Sequence, residues 1–436
     1  MNGTAGSRLR APAAVRGLPA AFWWIWLSVL VNWIGGFAGP MLALSLTAGR
    51  GWSASYAGLF LSLVGIGGIL GTFLGGALAD RIGRRTTMFA AHLWTAVSIS
   101  LLGVSGEPWA VAASALAVGL GATAVRPAMQ ASLTDLVPPQ DRRRAFALNY
   151  WALNAGGAIA AVLAGLMVVH GYALIFLADG VTTLLCGLLV LAKVPETRPD
   201  PTARPAAPAE PKPGPVHRDG PFMLFVLMTA LFAVVFKQGT STLPVVMTRE
   251  GHSPAMYSLV SAANGLLVVA LQIPLTRLVG GRSRPMVLLV AGLLLGWGFG
   301  LTVLADSVAA YASTVLVWTL GEILQAPAGI AVTADRAPAD MRGRYQGMYG
   351  GAWSAAAFVA PAGGGWVLDH WGATTLWTLC AVLATTAGAG CALVTARAKD
   401  FHTGRPGPVW DGNGTPPVPP ASSGPGRGTP TEGNAS

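Results

Sequence analysis

Apolar runs long enough to cross a lipid bilayer recur along this 436-residue chain, among them Leu59 to Ala79, Thr86 to Gly106 and Pro108 to Val125. A bilayer core of ~30 Å requires about 20 such residues per helix at ~1.5 Å each. By that measure the sequence holds twelve spans, at 21–46, 55–79, 86–106, 108–131, 145–169, 172–193, 221–247, 255–277, 285–306, 308–333, 345–368 and 374–396. With 53% hydrophobic and only 11% charged residues, a soluble fold of this length could not bury its own apolar surface. The expected fold class is an all-α integral membrane protein of twelve transmembrane helices.

A net charge of +10 invites a nucleic-acid partner until its placement is followed. All of the 28 Lys and Arg except Arg50, Arg126, Lys237 and Arg249 fall in the termini or in the loops that follow even-numbered spans. That is the positive-inside pattern; it predicts both termini in the cytoplasm and no nucleic-acid partner. No cleavable signal is expected, because the apolar run after Arg16 continues far past signal length without a small-residue cleavage site. Cys186, Cys380 and Cys391 all lie inside spans and read as small core residues, with no metal-ligand spacing. Arg is strongly preferred over Lys, and Ala and Gly abound, which points to a GC-rich bacterium and so to its cytoplasmic membrane.

The organisation follows from composition. Residues 1–20 form a cytoplasmic segment, 21–193 a six-helix bundle, 194–220 a Pro-rich cytoplasmic linker, 221–396 a second six-helix bundle, and 397–436 a tail expected to be disordered. Neither the linker nor the tail is expected to carry chemistry. The two bundles superpose at an offset of 200: Pro127 with Pro327, Asp135 with Asp335, Arg142 with Arg342, Arg144 with Arg344, Gly165 with Gly365 and His170 with His370. Six is even, so both copies enter the membrane from the same side, and the halves are parallel repeats with a cavity between them.

The stretch "GALADRIGRR" between spans 2 and 3, with the long linker after span 6, is similar to the major facilitator superfamily, whose loop signature reads Gly-x-Leu-Ala-Asp-Arg-x-Gly-Arg-Arg/Lys. Gly76, Leu78, Asp80, Arg81, Gly83, Arg84 and Arg85 match it, and bacterial twelve-helix drug/proton antiporter-like members are the nearest resemblance. The resemblance implies that Asp80 latches the cytoplasmic side shut near the start of helix 11, with Arg84, Arg85 and Asp135 as charged neighbours. Gly83 permits the sharp turn and the arginines anchor the face. Gly67, Gly71 and Gly75 share one face of span 2, and with "APAGGGW" in span 11 they suggest that these two helices slide on each other.

Charges inside a bilayer cost several kcal/mol, ~2.5–3.5 or more, unless a cavity or a partner receives them. There are four. Glu322 lies roughly 21 Å into span 10, near the midplane, and is the first candidate for proton coupling; Asp179 in span 6 is the second. Lys237 in span 7 and Arg126 in span 4 are the basic members, and either could instead hold Glu322 in a permanent pair. Uncharged cavity candidates are Asn32, Asn154, Gln238, Asn264 and Gln325, and Trp33, Tyr150, Trp151, Tyr349 and Trp353 are candidate aromatic walls. Two departures from the antiporter pattern stand out: the upper half of span 4 has no Arg, and span 5 reads "GGAIAAVLAG" without the usual proline.

Other function classes fit poorly. His170, His217, His252, His370 and His402 lie in loops or the tail, and His92 has no catalytic partner at a suitable spacing, so an enzyme is not expected. There is no phosphate-binding Gly-rich loop for ATP-driven pumping, and no cofactor is implied. The expectation is a monomeric, proton-coupled exporter of small hydrophobic compounds working by alternating access; the alternative is an uptake symporter or facilitator for a polar nutrient.

Overall fold

The computed structural model describes residues 17–197, 216–338 and 341–397. The N-terminal segment as far as residue 16, linker residues 198–215, residues 339–340 and the tail from 398 lie outside the described residues, as do the expectations made for them. Among the described residues the structure is helical, without strands. The helices are α1 (Ala20–Ile34), α2 (Ala38–Thr47), α3 (Ala54–Ile82), α4 (Arg84–Val104), α5 (Pro108–Leu136), α6 (Arg142–Met167), α7 (Tyr172–Lys193), α8 (Gly220–Ser241), α9 (Leu243–Arg249), α10 (Pro254–Val279), α11 (Arg284–Gly300), α12 (Val308–Arg336) and α13 (Arg342–Arg397).

Four of the expected spans differ in detail. Span 1 is two helices, because the chain breaks at Gly35 to Phe37 and α2 restarts with the Ala38 N–H donating to the Asp179 carboxylate, 3.0 Å. Span 7 breaks at Thr242, just before Pro244, whose missing N–H is harmless in the first turn of α9. Spans 11 and 12 run together in α13 with a single non-helical residue, Gly372 at φ 79°, a conformation that glycine adopts without steric cost. Gly83, at φ 95°, likewise lets α4 begin directly where α3 ends.

Large apolar side chains such as Phe73, Trp109, Leu166 and Leu278 point outward along these helices, as expected where lipid replaces water. Inside, small residues set the spacing. Gly67, Gly71 and Gly75 do not face span 11 as the sequence suggested; added Cβ atoms there would lie 2.0–2.2 Å from the carbonyls of Leu116, Leu120 and Ala124 on α5. The reason is helical period: Gly58 and Gly65, seven residues apart, share the face toward α13, and Gly67 is half a turn away from it. Gly58 abuts the Pro361 carbonyl and Gly65 the backbone of Ala357.

The 200-residue repeat is visible in this packing. Gly121 meets Thr95 and Gly321 meets Leu295. Between the halves, Gly165 on α6 abuts Ser258 and Gly265 on α10 abuts Ala158, while Gly365 on α13 abuts Ala54 and Gly65 on α3 abuts Ala357. Both seams lie in the part of the membrane away from the basic loops: in α3 the glycine contacts to α13 end by Gly65, roughly 16 Å from its start.

Candidate functional site

Glu322 sits on α12, half-buried, five residues before the helix-internal Pro327. Asn264 Nδ2, from α10, donates to Glu322 Oε2 at 2.9 Å and to Thr319 Oγ1 at 2.9 Å. Thr319 lies one turn before Glu322, so one amide ties both side chains of α12 to α10. Oε1 of Glu322 has no hydrogen-bond partner among the described residues.

One basic group and a phenol lie near this carboxylate, and a second basic group lies near the first. Lys237 on α8 lies within electrostatic reach of both Glu322 and Arg126, and Tyr150 on α6 within reach of Glu322. Neither Lys237 nor Arg126 forms an ion pair within 4.0 Å among the described residues, so the permanent pairing allowed by the sequence does not occur. Arg126 continues an exposed stripe on α5 with Ala122 and Gln130, at four-residue spacing. Arg126 and Tyr150 come from the first half and Glu322, Asn264 and Lys237 from the second.

Beside Asn264 lies a small cavity of about 40 Å³, lined by Phe236, Tyr257 and Trp318 among others, all from the second half. Phe236 is the hub of its aromatic wall, edge-on to Trp318 at 6.1 Å and to Trp353 at 5.8 Å.

The remaining candidates are structural in this conformer. Asp179 is buried and accepts from Thr183 Oγ1 as well as Ala38 N, so it caps α2 rather than facing the cavity. Gln238 is buried and donates to the Ala360 carbonyl on α13, and Gln325 Nε2 lies 3.4 Å from the Tyr349 hydroxyl. Asn154 donates to the Tyr150 carbonyl one turn back; Asn32 is half-buried and has no hydrogen-bonded partner among the described residues.

At the basic face, Arg84 and Asp135 form an ion pair at 3.1 Å, and Asp80 and Arg81 are exposed without a side-chain partner. Gly76 has open space toward α5, its nearest contact being Pro127 Cβ at 4.0 Å. Glu196, which lies in the segment expected to be inert, crosses to the start of α4 and accepts from Arg85 N, Thr86 N and Thr86 Oγ1. Its partial burial favours the neutral acid, and these hydrogen bonds outweigh that, holding its carboxyl below the usual range. Asp219 at the other end of that segment caps α8 and binds Arg336 through two hydrogen bonds of 2.9 Å.

The opposite face carries a feature that no motif signals. Asp369, near the break in α13, accepts from the Ala54 and Ser55 N–H groups, from Ser55 Oγ and from Arg249. It therefore fastens the first turn of α3, in the first half, to the second half. One step inward, Ser62 Oγ donates to the Phe358 carbonyl and accepts from Ala362 N. Hydrogen bonds between the halves are found at this face; at the basic face the pairs Arg84–Asp135, Arg144–Asp141, Arg284–Asp335 and Arg336–Asp219 each lie within one half.

Comparison with known proteins agrees with this architecture. Residues 25–361 match the family model described as Major Facilitator Superfamily. The multidrug resistance protein MdtH of Cronobacter sakazakii is 29% identical over 341 residues, covering 76% of this chain and 82% of the relative. MdtH of Escherichia coli (strain K12 / DH10B) is 27% identical over 332 residues with the same coverage. Among solved structures, a POT family transporter in complex with 5-aminolevulinic acid superposes with a TM-score of 0.74 at 14% identity, over 86% of this chain and 96% of that one. An auto-inhibited POT family peptide transporter gives 0.70 at 19%, over 87% and 97%. At these identities the two structures speak for the fold alone.

Proposed function

The chain belongs to the major facilitator superfamily, and on that premise we propose that it is a proton-coupled exporter of small hydrophobic compounds, acting as a monomer in a bacterial cytoplasmic membrane. Family membership makes it a multi-pass membrane transporter rather than an enzyme. The multidrug resistance relatives support drug efflux as the direction of transport. The observation that carries the coupling reading is Glu322, a carboxylate midway along a membrane-spanning helix, held by Asn264 through one oxygen and within electrostatic reach of Lys237.

With the basic face in the cytoplasm, this conformer is closed toward the outside by the α3–α13 and α6–α10 seams and opens inward. Substrate enters from the cytoplasm and Glu322 gives up its proton on that side. The halves then rock, the Asp369 fastening parts, and Asp80, free in this conformer, engages the second half. Outside, substrate leaves and Glu322 reloads a proton.

The test is a liposome reconstituted with the purified chain, a proton gradient across it, an internal pH dye and a panel of drugs. Proton movement opposite to the added compound, lost in Glu322→Gln, is the expected result. Substrate flux without a proton signal would leave Glu322 a ligand-binding acid in a facilitator.

A further inference from the structure

Resting on the reading of Glu322 as the group that exchanges the proton, we infer that Asn264 is a positioning residue with two settings, presenting Nδ2 to Glu322 when that acid is ionised and turning its amide over to present Oδ1 when the acid is protonated. The geometry begins with one NH2 group that serves two acceptors, Glu322 Oε2 and Thr319 Oγ1, each at 2.9 Å. An ionised carboxylate only accepts, so it holds the amide with its nitrogen inward. A protonated carboxyl carries an O–H that needs an acceptor, and a half-rotation of the same amide brings its oxygen there. Thr319, fully buried, suits either setting, because a hydroxyl can accept from Nδ2 or donate to Oδ1. Neither an apolar side chain nor a carboxylate at position 264 could do both.

The other end of the amide can change as well. Asn264 Oδ1 has no hydrogen-bond partner among the described residues, and Asn264 borders the cavity of about 40 Å³ whose wall also includes Thr240 and Ser261. That is room for about one or two water molecules, and water can donate to a carbonyl or accept from an NH2 group. Few other groups compete for Glu322. Among the described residues Asn264 alone is hydrogen-bonded to it; Lys237 on α8 and Tyr150 on α6 lie within electrostatic reach, with Arg126 on α5 near Lys237. Tyr257, two turns outward on α10, donates to the Gly239 carbonyl, and Tyr349 on α13 lies beside Gln325. The only charged residue of α11 is Arg284, paired with Asp335 at the basic face, and α2 has no titratable side chain. A proton gained or lost at Glu322 is therefore met first by the Asn264 amide, and through it by Thr319.

The test is infrared difference spectroscopy of the full chain in nanodiscs, in acid minus alkaline buffer, with no drug and no gradient present. The unaltered chain is expected to show a protonated-carboxyl band that Glu322→Gln removes, together with an amide carbonyl change that moves when the asparagine side chains carry 13C. That amide change should be lost in both Glu322→Gln and Asn264→Leu. In Asn264→Leu, of nearly equal volume, the carboxyl band should shift to higher frequency, because its O–H has lost its acceptor. Thr319→Val should weaken the amide change, and Thr319→Ser, which keeps the hydroxyl, should preserve it. Thermal melting in detergent identifies any variant that fails to fold, and the 13C-sensitive change of the unaltered chain is read without any variant. A Glu322 band with no asparagine change, or one that stays in place in Asn264→Leu, overturns the two-setting amide and leaves the coupling reading standing. A spectrum with no Glu322 band defeats both. Proton-coupled flux is read separately in liposomes: its absence with the infrared changes intact defeats the exporter reading alone.

Discussion

Arg84 and Asp135 form an ion pair at the basic face, and 200 positions later Arg284 and Asp335 form the same pair in the second half. The duplicated pair fixes the α4–α5 corner and its copy fixes the α11–α12 corner. The two differ in exposure: the Arg84 side chain keeps 10% of its accessible surface and that of Arg284 43%. Asp135→Asn should therefore cost about 1–3 kcal/mol by leaving a buried guanidinium without its counter-ion, and Asp335→Asn less than about 1 kcal/mol. Thermal or denaturant unfolding of both variants in one detergent tests the order; equal losses would refute it.

Asp369 holds the α3 start through two backbone N–H groups and Ser55. Asp369→Asn keeps the shape and removes the charge that binds Arg249. It should shift the population toward the form open at that face. Ser241, buried beside Ala54 and Gly58 in the small space between the halves, is a suitable reporter, because the three native cysteines are buried. Labelling of Ser241→Cys by an impermeant maleimide should become severalfold faster with Asp369→Asn, and an unchanged rate would remove the gating role.

Asp179 and Glu322 should separate cleanly. Asp179→Asn loses the charge at the α2 cap and should lower the melting temperature, at a cost of about 1–2 kcal/mol, while proton-coupled flux persists in the folded fraction. Loss of coupling at full stability would return Asp179 to the proton path.

Close approach makes a glycine prediction quantitative. A Cβ at Gly71 would stand 2.0 Å from the Leu120 carbonyl, whereas at Gly76 the nearest atom is Pro127 Cβ at 4.0 Å. Gly71→Ala should destabilise by about 1–3 kcal/mol or more, and Gly76→Ala should be neutral or stabilising by up to about 1 kcal/mol. Melting curves of the pair decide it.

Asp219 predicts a pH effect. Its burial raises its pKa, and the opposing hydrogen bonds from Arg336, the Phe222 N–H and Tyr345 outweigh that, leaving it below the ordinary aspartate value. A depressed carboxyl contributes stability above its unfolded pKa, about 3.9, and loses it as pH falls through the folded value. The melting temperature should fall between about pH 4 and pH 2, and Asp219→Asn should be less stable at pH 7 and flatter across that window. Parallel pH profiles of the two proteins would contradict the assignment.

Much of this was legible because it is local or repeated. Spans, loop charges and the 200-residue register each need only composition or self-comparison, and Glu322 stands out as a charge deep in an apolar run. What escaped depends on distant partners. Asp369 reads as one more loop acid, because Ser55 lies 314 positions away and nothing near either residue announces the other. Glu196 and Asp219 were hidden by their Pro-rich surroundings, although each satisfies the first N–H groups of a helix. The face of Gly67, Gly71 and Gly75 was read correctly as close-packed and assigned the wrong neighbour, since periodicity identifies a face without naming what it meets.

The duplication is broken at one consequential place. Where α13 offers Asp369 to the start of α3, the equivalent position after α6 is the exposed Val169, and the α6–α10 seam among the described residues rests on Gly165, Ser258, Ala158 and Gly265 in van der Waals contact. The molecule is thus clasped along one edge and merely leaning along the other. Such a body is not expected to part like a clamshell with equal lips: if the halves rock, the loose edge should unzip first and the clasped edge should serve as the pivot until its last charge lets go.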